Sequence, residues 1–327
     1  MKAIIVQTDQ EDRPLLWQEV EGPAYGDDEV LVNIFATALN RADLMQRAGR
    51  YPPPAGAPDI MGLEMAGQIA AVGANVKGWQ VGDRVCALLP GGGYAEQVAV
   101  AGQMLMPIPA GWSYEQGAAV PEVFYTAYVN LFMEAGLQAG ETVLVHGGAS
   151  GVGTAAIQLI REAGCTVFAT AGADEKTAKC TELGAALAIN YKKADFAERI
   201  LEQTNEGGVD VILDIVGADY LARNLQVLKL RGRLVFIATL GGVEAQINLS
   251  QLMRQRLRLI GSVLRSRSVA EKVEIKERFM AQFWPKLQDG TIRPVIDSTY
   301  PVQEANAAHQ RMAENKNIGK IILKVRD

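Results

Sequence analysis

The sequence predicts an α/β protein in which a doubly wound, parallel six-stranded sheet is inserted into a discontinuous β-barrel-type domain. Two observations predict the sheet. A short apolar strand, Thr142-Val143-Leu144-Val145-His146, runs into the glycine-dense turn Gly147-Gly148-Ala149-Ser150-Gly151-Val152-Gly153 and then into a helix carrying Ile157 and Ile160 on one face. After it, apolar runs at 166–171, 188–191, 209–214, 233–239 and 257–262 alternate with helical stretches, the pattern of parallel strands covered on both faces. A third observation predicts the barrel. Short strands at 3–7, 15–20, 30–38, 65–72, 84–89 and 94–100 are punctuated by turns such as Gly22-Pro23, Gly73-Ala74-Asn75 and Gly82-Asp83.

The glycine turn has a chemical use. Glycines let the backbone approach a phosphate without a Cβ in the way, and the free N–H groups of the following helix face the anion. The matching frame is Gly147-x-x-Ser150-x-x-Gly153, with serine where G-x-G-x-x-G has its middle glycine. In isolation such a turn only joins a strand to a helix, but within six alternating strands it marks a dinucleotide-binding domain. An NAD site of this kind has Asp or Glu at the tip of the second strand; here the tip reads Thr170-Ala171-Gly172-Ala173. The site then admits the 2′-phosphate of NADPH, with Lys176 a few residues on as its cation. Asp174 and Glu175 fall at a helix start, where acids serve the cap and macrodipole.

In the barrel-type part, a helix at 40–48 is followed by Gly49-Arg50-Tyr51-Pro52-Pro53-Pro54, a loop stiffened by three prolines and suited to presenting one side chain. The character shifts near Gly117-Ala118-Ala119-Val120-Pro121, and a helix at 123–135 leads into the glycine-turn strand. Beyond the sixth strand come a helix at 269–287, a strand at 295–298, a helix at 302–315 and a last strand at 320–325, which returns to the first domain. The expected boundaries are 1–121 with 266–327 for the barrel-type domain and 122–265 for the nucleotide domain.

At 327 residues the chain is long enough for two cores without disulfides. Its three cysteines, Cys86, Cys165 and Cys180, are odd in number and widely spaced, so they make neither a disulfide framework nor a zinc cluster. With 37 acidic against 32 basic side chains the net charge is −5, which gives no global attraction to nucleic acid or anionic membrane. A local cluster, Arg254, Arg256, Arg258, Arg265 and Arg267, reads as a solvated or interface-facing rim; an RNA surface would interleave stacking aromatics. The apolar start is too short for a signal peptide, and no run of about 18 uncharged apolar residues exists, so a cytoplasmic protein is expected.

Ala38-Leu39-Asn40-Arg41-Ala42-Asp43-Leu44, Gly62-Leu63-Glu64-Met65-Ala66-Gly67, Gly92-Gly93-Tyr94-Ala95-Glu96 and Asn317-Ile318-Gly319-Lys320-Ile321 together resemble the medium-chain dehydrogenase/reductase superfamily over essentially the full length. Within it the chain is similar to the zinc-free quinone oxidoreductase branch, of the zeta-crystallin and tumour-suppressor-induced type, in which the turn also carries a serine. The resemblance implies a GroES-like catalytic domain around a Rossmann domain, and NADPH as cofactor. It implies that Ser150, Gly151 and Val152 lie along the diphosphate, and that Gly172, Lys176 and Tyr191 surround the adenosine phosphate. Ala238, Leu240 and Leu264 then lie near the nicotinamide, Asn317 closes the site, and Thr126 is a further cofactor-binding residue. By its residues alone Tyr191 reads as an ordinary strand-end aromatic.

Where zinc relatives carry a cysteine ahead of an aspartate this chain has Asn40 ahead of Asp43, and their G-H-E is Gly62-Leu63-Glu64. With only His146 and His309 in the chain, three ligands for a catalytic zinc are hard to assemble, so no metal is expected. A quinone needs less help than a ketone, because hydride arrival yields a hydroquinone anion of phenol-like basicity, near a pKa of about 10. The resemblance makes Asn40 and Tyr51 the pocket residues. Tyr51 either donates a hydrogen bond to a quinone oxygen or simply packs on Pro52 to Pro54. Asp43 and Glu64 read as structural. The expected activity is therefore NADPH-dependent quinone reduction. Its alternatives are reduction of an enone or 2-enoyl thioester with Tyr51 as proton donor, the arginine cluster meeting coenzyme A phosphates, or a non-catalytic crystallin-like or RNA-binding role. A homodimer through the apolar sixth strand is also expected, since that strand is otherwise an open edge.

Overall fold

The computed structural model describes residues 1–326. The chain divides into two compact units, Met1–Tyr125 with Arg265–Asp327, and Thr126–Leu264. The division falls inside a helix that begins at Pro121, a residue pre-set for a first helical position, runs as α-helix over Pro121–Tyr128 and continues as a π-helix over Val129–Glu134. The predicted helix at 123–135 is thus present, wider in its second half, where Ala135 N–H reaches back to Asn130 O at 3.0 Å.

Unit Thr126–Leu264 holds six parallel strands in the spatial order Leu187–Asn190, Thr166–Ala171, Thr142–His146, Val209–Asp214, Leu228–Phe236, Arg258–Gly261. In chain order this is 3-2-1-4-5-6, the Rossmann arrangement, with its switch point between the first and fourth strands. Leu144, Phe168, Ile189, Ile212 and Leu234 from the sheet pack with Phe196, Ile200 and Leu225 from the helices. The fifth strand starts at Leu228, five residues before the apolar run suggested. Its pairing slips between Val209↔Leu228 and Val211↔Arg233, and Arg231 takes a left-handed φ of 65° in the bulge.

In the other unit the sheet order is Ile296–Pro301, Lys320–Lys324, Glu29–Ala38, Glu64–Val72, Arg84–Leu88, Met106–Pro107, with Gln97–Ala101 also paired to Glu29–Ala38. The last strand lies antiparallel to Glu29–Ala38, so the C-terminus completes the N-terminal sheet. Strand 94–100 is a partial correction: regular pairing begins only at Gln97. Tyr94 is turned into the core and Ala95 makes one isolated bridge to Ala3, just after Gly92 takes a left-handed φ of 89° that no straight strand has. The predicted helix at 302–315 opens as a 3-10 turn, Val302–Glu304, before α-helix Ala305–Ala313. No helix among the described residues is long and apolar enough to cross a membrane.

Candidate active site

In the Rossmann unit the first strand ends at His146 and the turn reverses at Gly147, whose φ of +67° suits only glycine without strain. Ser150 is the N-cap of helix Gly151–Glu162, its Oγ accepting the Gly153 N–H at 3.0 Å. The serine in the middle of the frame is therefore a cap. A Cβ on Gly153 would strike the backbone of Gly147 and Gly148, and one on Gly148 would meet Ala169 and Cys180. The turn is thus closed down onto the sheet, leaving the first N–H groups, those of Gly151 and Val152, without intrahelical acceptors. These residues fit a pyrophosphate.

Beneath the turn runs a buried polar chain. His146 Nδ1 is 2.9 Å from Thr170 Oγ1, its Nε2 is 2.8 Å from Asn224 Oδ1, and Asn224 Nδ2 donates to Asp214 Oδ2 at 3.1 Å. Asp214 also accepts the N–H groups of Val216 and Gly217. Burial pushes the His146 imidazole down to about 4, so it is neutral, and Phe196 and Tyr220 meet it edge-on. His146 is a satisfied core histidine.

At the tip of the second strand Gly172 packs under the exposed Tyr191: a Cβ there would lie 2.5 Å from the Tyr191 hydroxyl, so the ring would have to move. Asp174 accepts Asn190 Nδ2 at 2.8 Å and pairs with Lys193, while Lys176 stands half-buried in the first turn of helix Asp174–Glu182. The acid at this tip is thus engaged by its own neighbours, and Lys193 adds a cation that the sequence reading passed over, two residues beyond Tyr191. Ala238 is half-buried and Leu240 exposed in the loop after the fifth strand, and Leu264 is buried. Thr126 is half-buried, its carbonyl taken by Asn130 Nδ2 at 2.7 Å.

In the GroES-like unit, Asn40 caps helix Arg41–Arg47 from an extended conformation, its N–H held by Asp43 Oδ2 at 2.8 Å. Its side chain is committed inward, with Nδ2 donating to Glu64 Oε1 at 2.8 Å and Oδ1 accepting Lys320 Nζ at 2.7 Å. Lys320 is 3 % exposed and also donates to Leu39 O at 2.6 Å and to Glu64 Oε1 at 2.7 Å. The other Glu64 oxygen accepts the Glu122 N–H at 2.8 Å. A buried ion pair is thus closed on every side by hydrogen bonds, the condition under which burial is tolerated. Asp43, raised to about 6 by burial, also accepts the Tyr94 hydroxyl at 3.1 Å, and His309 Nε2 lies 3.3 Å from that hydroxyl. Asn40 thus links Asp43, through its N–H, to the Glu64–Lys320 pair, through its side chain.

Tyr51 is half-buried on its proline loop, its hydroxyl raised by burial. It does not simply lean on the prolines: the Arg265 guanidinium sits 5.2 Å from its ring centroid. Arg265 corrects the reading of the arginine cluster. Arg254, Arg256 and Arg258 are exposed, but Arg265 is 6 % exposed, donating to Pro90 O at 2.9 and 3.1 Å and to Gln46 Oε1 at 2.8 Å. Lys272 Nζ caps its carbonyl at 2.7 Å. Asn317 is half-buried and folds its amide onto Gly319 O at 2.8 Å. Among the described residues no group of three or more His, Cys, Asp or Glu side chains is placed to hold a metal ion. The buried charge of Glu64 is balanced by lysine.

A glycine turn under a 3-2-1-4-5-6 sheet, joined to a GroES-like unit, defines a two-domain dehydrogenase/reductase. The alcohol dehydrogenase GroES-like domain family matches residues 26–110 and the zinc-binding dehydrogenase family residues 151–278. Quinone oxidoreductase of Rattus norvegicus is 33% identical over 310 residues, covering 94% of this chain and 92% of the relative. Among solved structures, the quinone oxidoreductase of Pseudomonas syringae pv. tomato DC3000 superposes with a TM-score of 0.88 at 28% identity over 99% of both chains. The CurK enoyl reductase superposes with a TM-score of 0.87 at 28% identity over 99% of this chain and 98% of that one. The chain belongs to the quinone-oxidoreductase type of the medium-chain dehydrogenase/reductase superfamily, and is an oxidoreductase.

Proposed function

We propose that the protein is a cytoplasmic, zinc-independent NADPH:quinone oxidoreductase. The observation that carries this reading is the Lys320–Glu64–Asn40 cluster. Its cation is a lysine ammonium, and the position that zinc relatives give to a ligand is an asparagine already hydrogen-bonded within the cluster. Without a Lewis acid the chemistry favours an acceptor whose reduced anion is stable by itself, as a hydroquinone anion is. NADPH, when bound, supplies the hydride. Ser150, Gly151 and Val152 would hold its diphosphate, Gly172, Lys176 and Tyr191 its adenosine end, and Ala238, Leu240, Leu264 and Asn317 its nicotinamide end, with Thr126 a further contact. Tyr51 would donate to the substrate oxygen. The test is a comparison of initial rates with NADPH and NADH against quinones and an enoyl thioester.

The similarity to an enoyl reductase supports one alternative on the same scaffold, reduction of a 2-enoyl thioester with Tyr51 protonating carbon. Cofactor choice is testable apart from substrate. Lys176→Ala is expected to weaken NADPH binding by roughly ten- to a hundredfold, the value of a charge-assisted hydrogen bond, while NADH is almost unaffected. Titration by protein fluorescence reads it, and equal losses for both cofactors would mean a packing role.

Strand Arg258–Gly261 is a sheet edge, with Leu259 36% and Val263 53% exposed around it. A twofold-related copy pairing along this edge would cover both. Ile260→Lys is expected to yield monomers in sedimentation; an unaltered mass argues against the interface.

A further inference from the structure

We propose that the turn at 190–193 decides the choice between NADPH and NADH: Asn190 and Lys193 bind the Asp174 carboxylate and cancel its opposition to a 2′-phosphate. The inference deepens the NADPH reading and rests on it, and its geometry lies wholly within unit Thr126–Leu264.

Asp174 opens helix Asp174–Glu182, which leaves the second strand, Thr166–Ala171, through Gly172 and Ala173. In dinucleotide folds an acid at this strand tip holds the ribose 2′-hydroxyl of NAD, and by like charge it opposes a 2′-phosphate. Asp174 is chemically an acid of that kind. Its two oxygens are already taken, Oδ1 accepting Asn190 Nδ2 at 2.8 Å and Oδ2 pairing with Lys193 Nζ.

The partners arrive from the third strand, Leu187–Asn190, whose last residue lies opposite Ala171 in the parallel ladder. Beyond it the Tyr191 N–H donates to Ala171 O at 3.1 Å, which keeps the chain on the tip. Asn190 then shapes the turn: its Oδ1 accepts the Lys192 N–H at 3.1 Å and its backbone oxygen accepts the Lys193 N–H at 2.9 Å. One asparagine thus fixes the turn that carries Lys193 and, through its amide nitrogen, also holds Asp174.

The charged side chains at the tip are Asp174, Glu175 and Lys176 on the helix and Lys192 and Lys193 on the turn, three lysines against two acids. Without Lys193 that excess of positive charge is gone. Lys193 first and Asn190 second hold the Asp174 carboxyl below its usual range, so it is ionised at neutral pH and only pairing offsets its charge. Ala173, the N-cap of the helix, supplies no side-chain hydrogen bond, and Asp174 is turned to the neighbouring strand. The first N–H groups of the helix therefore have no side-chain acceptor at the cap and favour an anion. Lys193 is a positioning residue: it acts through Asp174.

Side chains of Asp174 and Lys193 are 67% and 66% exposed, and an exposed pair adds little to the stability of the fold, so both can be replaced in a folded protein. Dissociation constants for NADPH and NADH are read from reduced-nicotinamide emission, with no substrate present, for wild type, Lys193→Met, Asp174→Asn and the double variant. Lys193→Met is expected to weaken NADPH about three- to tenfold, because the freed carboxylate repels a phosphate carrying about −1.5 to −2 charges, and to leave NADH within about twofold. In the double variant NADPH binding should return to within about twofold of Asp174→Asn alone, since no carboxylate is left to offset. A loss that persists in full in the double variant would put Lys193 on the phosphate itself and overturn its action through Asp174. Unchanged NADPH binding in Lys193→Met, or equal losses for both cofactors, would overturn the inference while leaving the NADPH reading in place. A wild type that binds NADH as tightly as NADPH would overturn that reading and the inference with it.

Discussion

Lys320→Met is expected to lower the unfolding free energy by about 3–5 kcal/mol, because it leaves Glu64 buried with its charge uncompensated. Glu64 is fully buried, and Lys320 supplies its only ion-pair partner among the described residues. For a chain of this size the loss corresponds to a fall in Tm on the order of 10 °C. The double variant Glu64→Gln/Lys320→Met should recover much of it, since the stranded charge is then gone. Thermal unfolding of the three proteins checks this, and an unchanged Tm for Lys320→Met would mean that the cluster does not hold the unit together.

Tyr51→Phe is expected to separate the two reductase readings. If the hydroxyl only supports developing charge on a quinone oxygen, one neutral hydrogen bond of about 0.5–1.5 kcal/mol is lost and turnover falls by roughly two- to tenfold. If the reaction is enoyl reduction with Tyr51 as the acid, the same change costs about 10² to 10⁴ in rate, because protonation at carbon loses its donor. The phenylalanine ring still accepts the Arg265 guanidinium, so the loop should stay in place. Measuring kcat/KM of both proteins on 1,4-benzoquinone and crotonyl thioester gives the answer, and the quinone reading requires the small loss.

The parallel sheet was legible because each of its determinants is local: an apolar run, a glycine turn and a helix follow one another within Thr142–His146 and Gly151–Glu162. The role of Ser150 was visible only as a departure from a motif; the cap bond three residues away explains it. Lys320 was not legible. It opens the apolar strand Lys320–Lys324 and looks like a strand-end lysine, while its partners Asn40 and Glu64 lie 280 and 256 residues away. Arg265 was misread for the same reason. Sequence grouped it with its arginine neighbours, but folding pairs it with Pro90 and Gln46, 175 and 219 residues distant.

The central claim, NADPH-dependent quinone reduction without metal, is tested most directly by one kinetic comparison. Protein dialysed against a chelator is assayed with NADPH and with NADH against 1,4-benzoquinone, 9,10-phenanthrenequinone and crotonyl thioester. NADPH should be oxidised faster than NADH, both quinones should be reduced at undiminished rates after dialysis, and the thioester should be reduced slowly. Rapid reduction of the thioester with quinones barely touched, or activity lost on dialysis and restored by zinc, would contradict it.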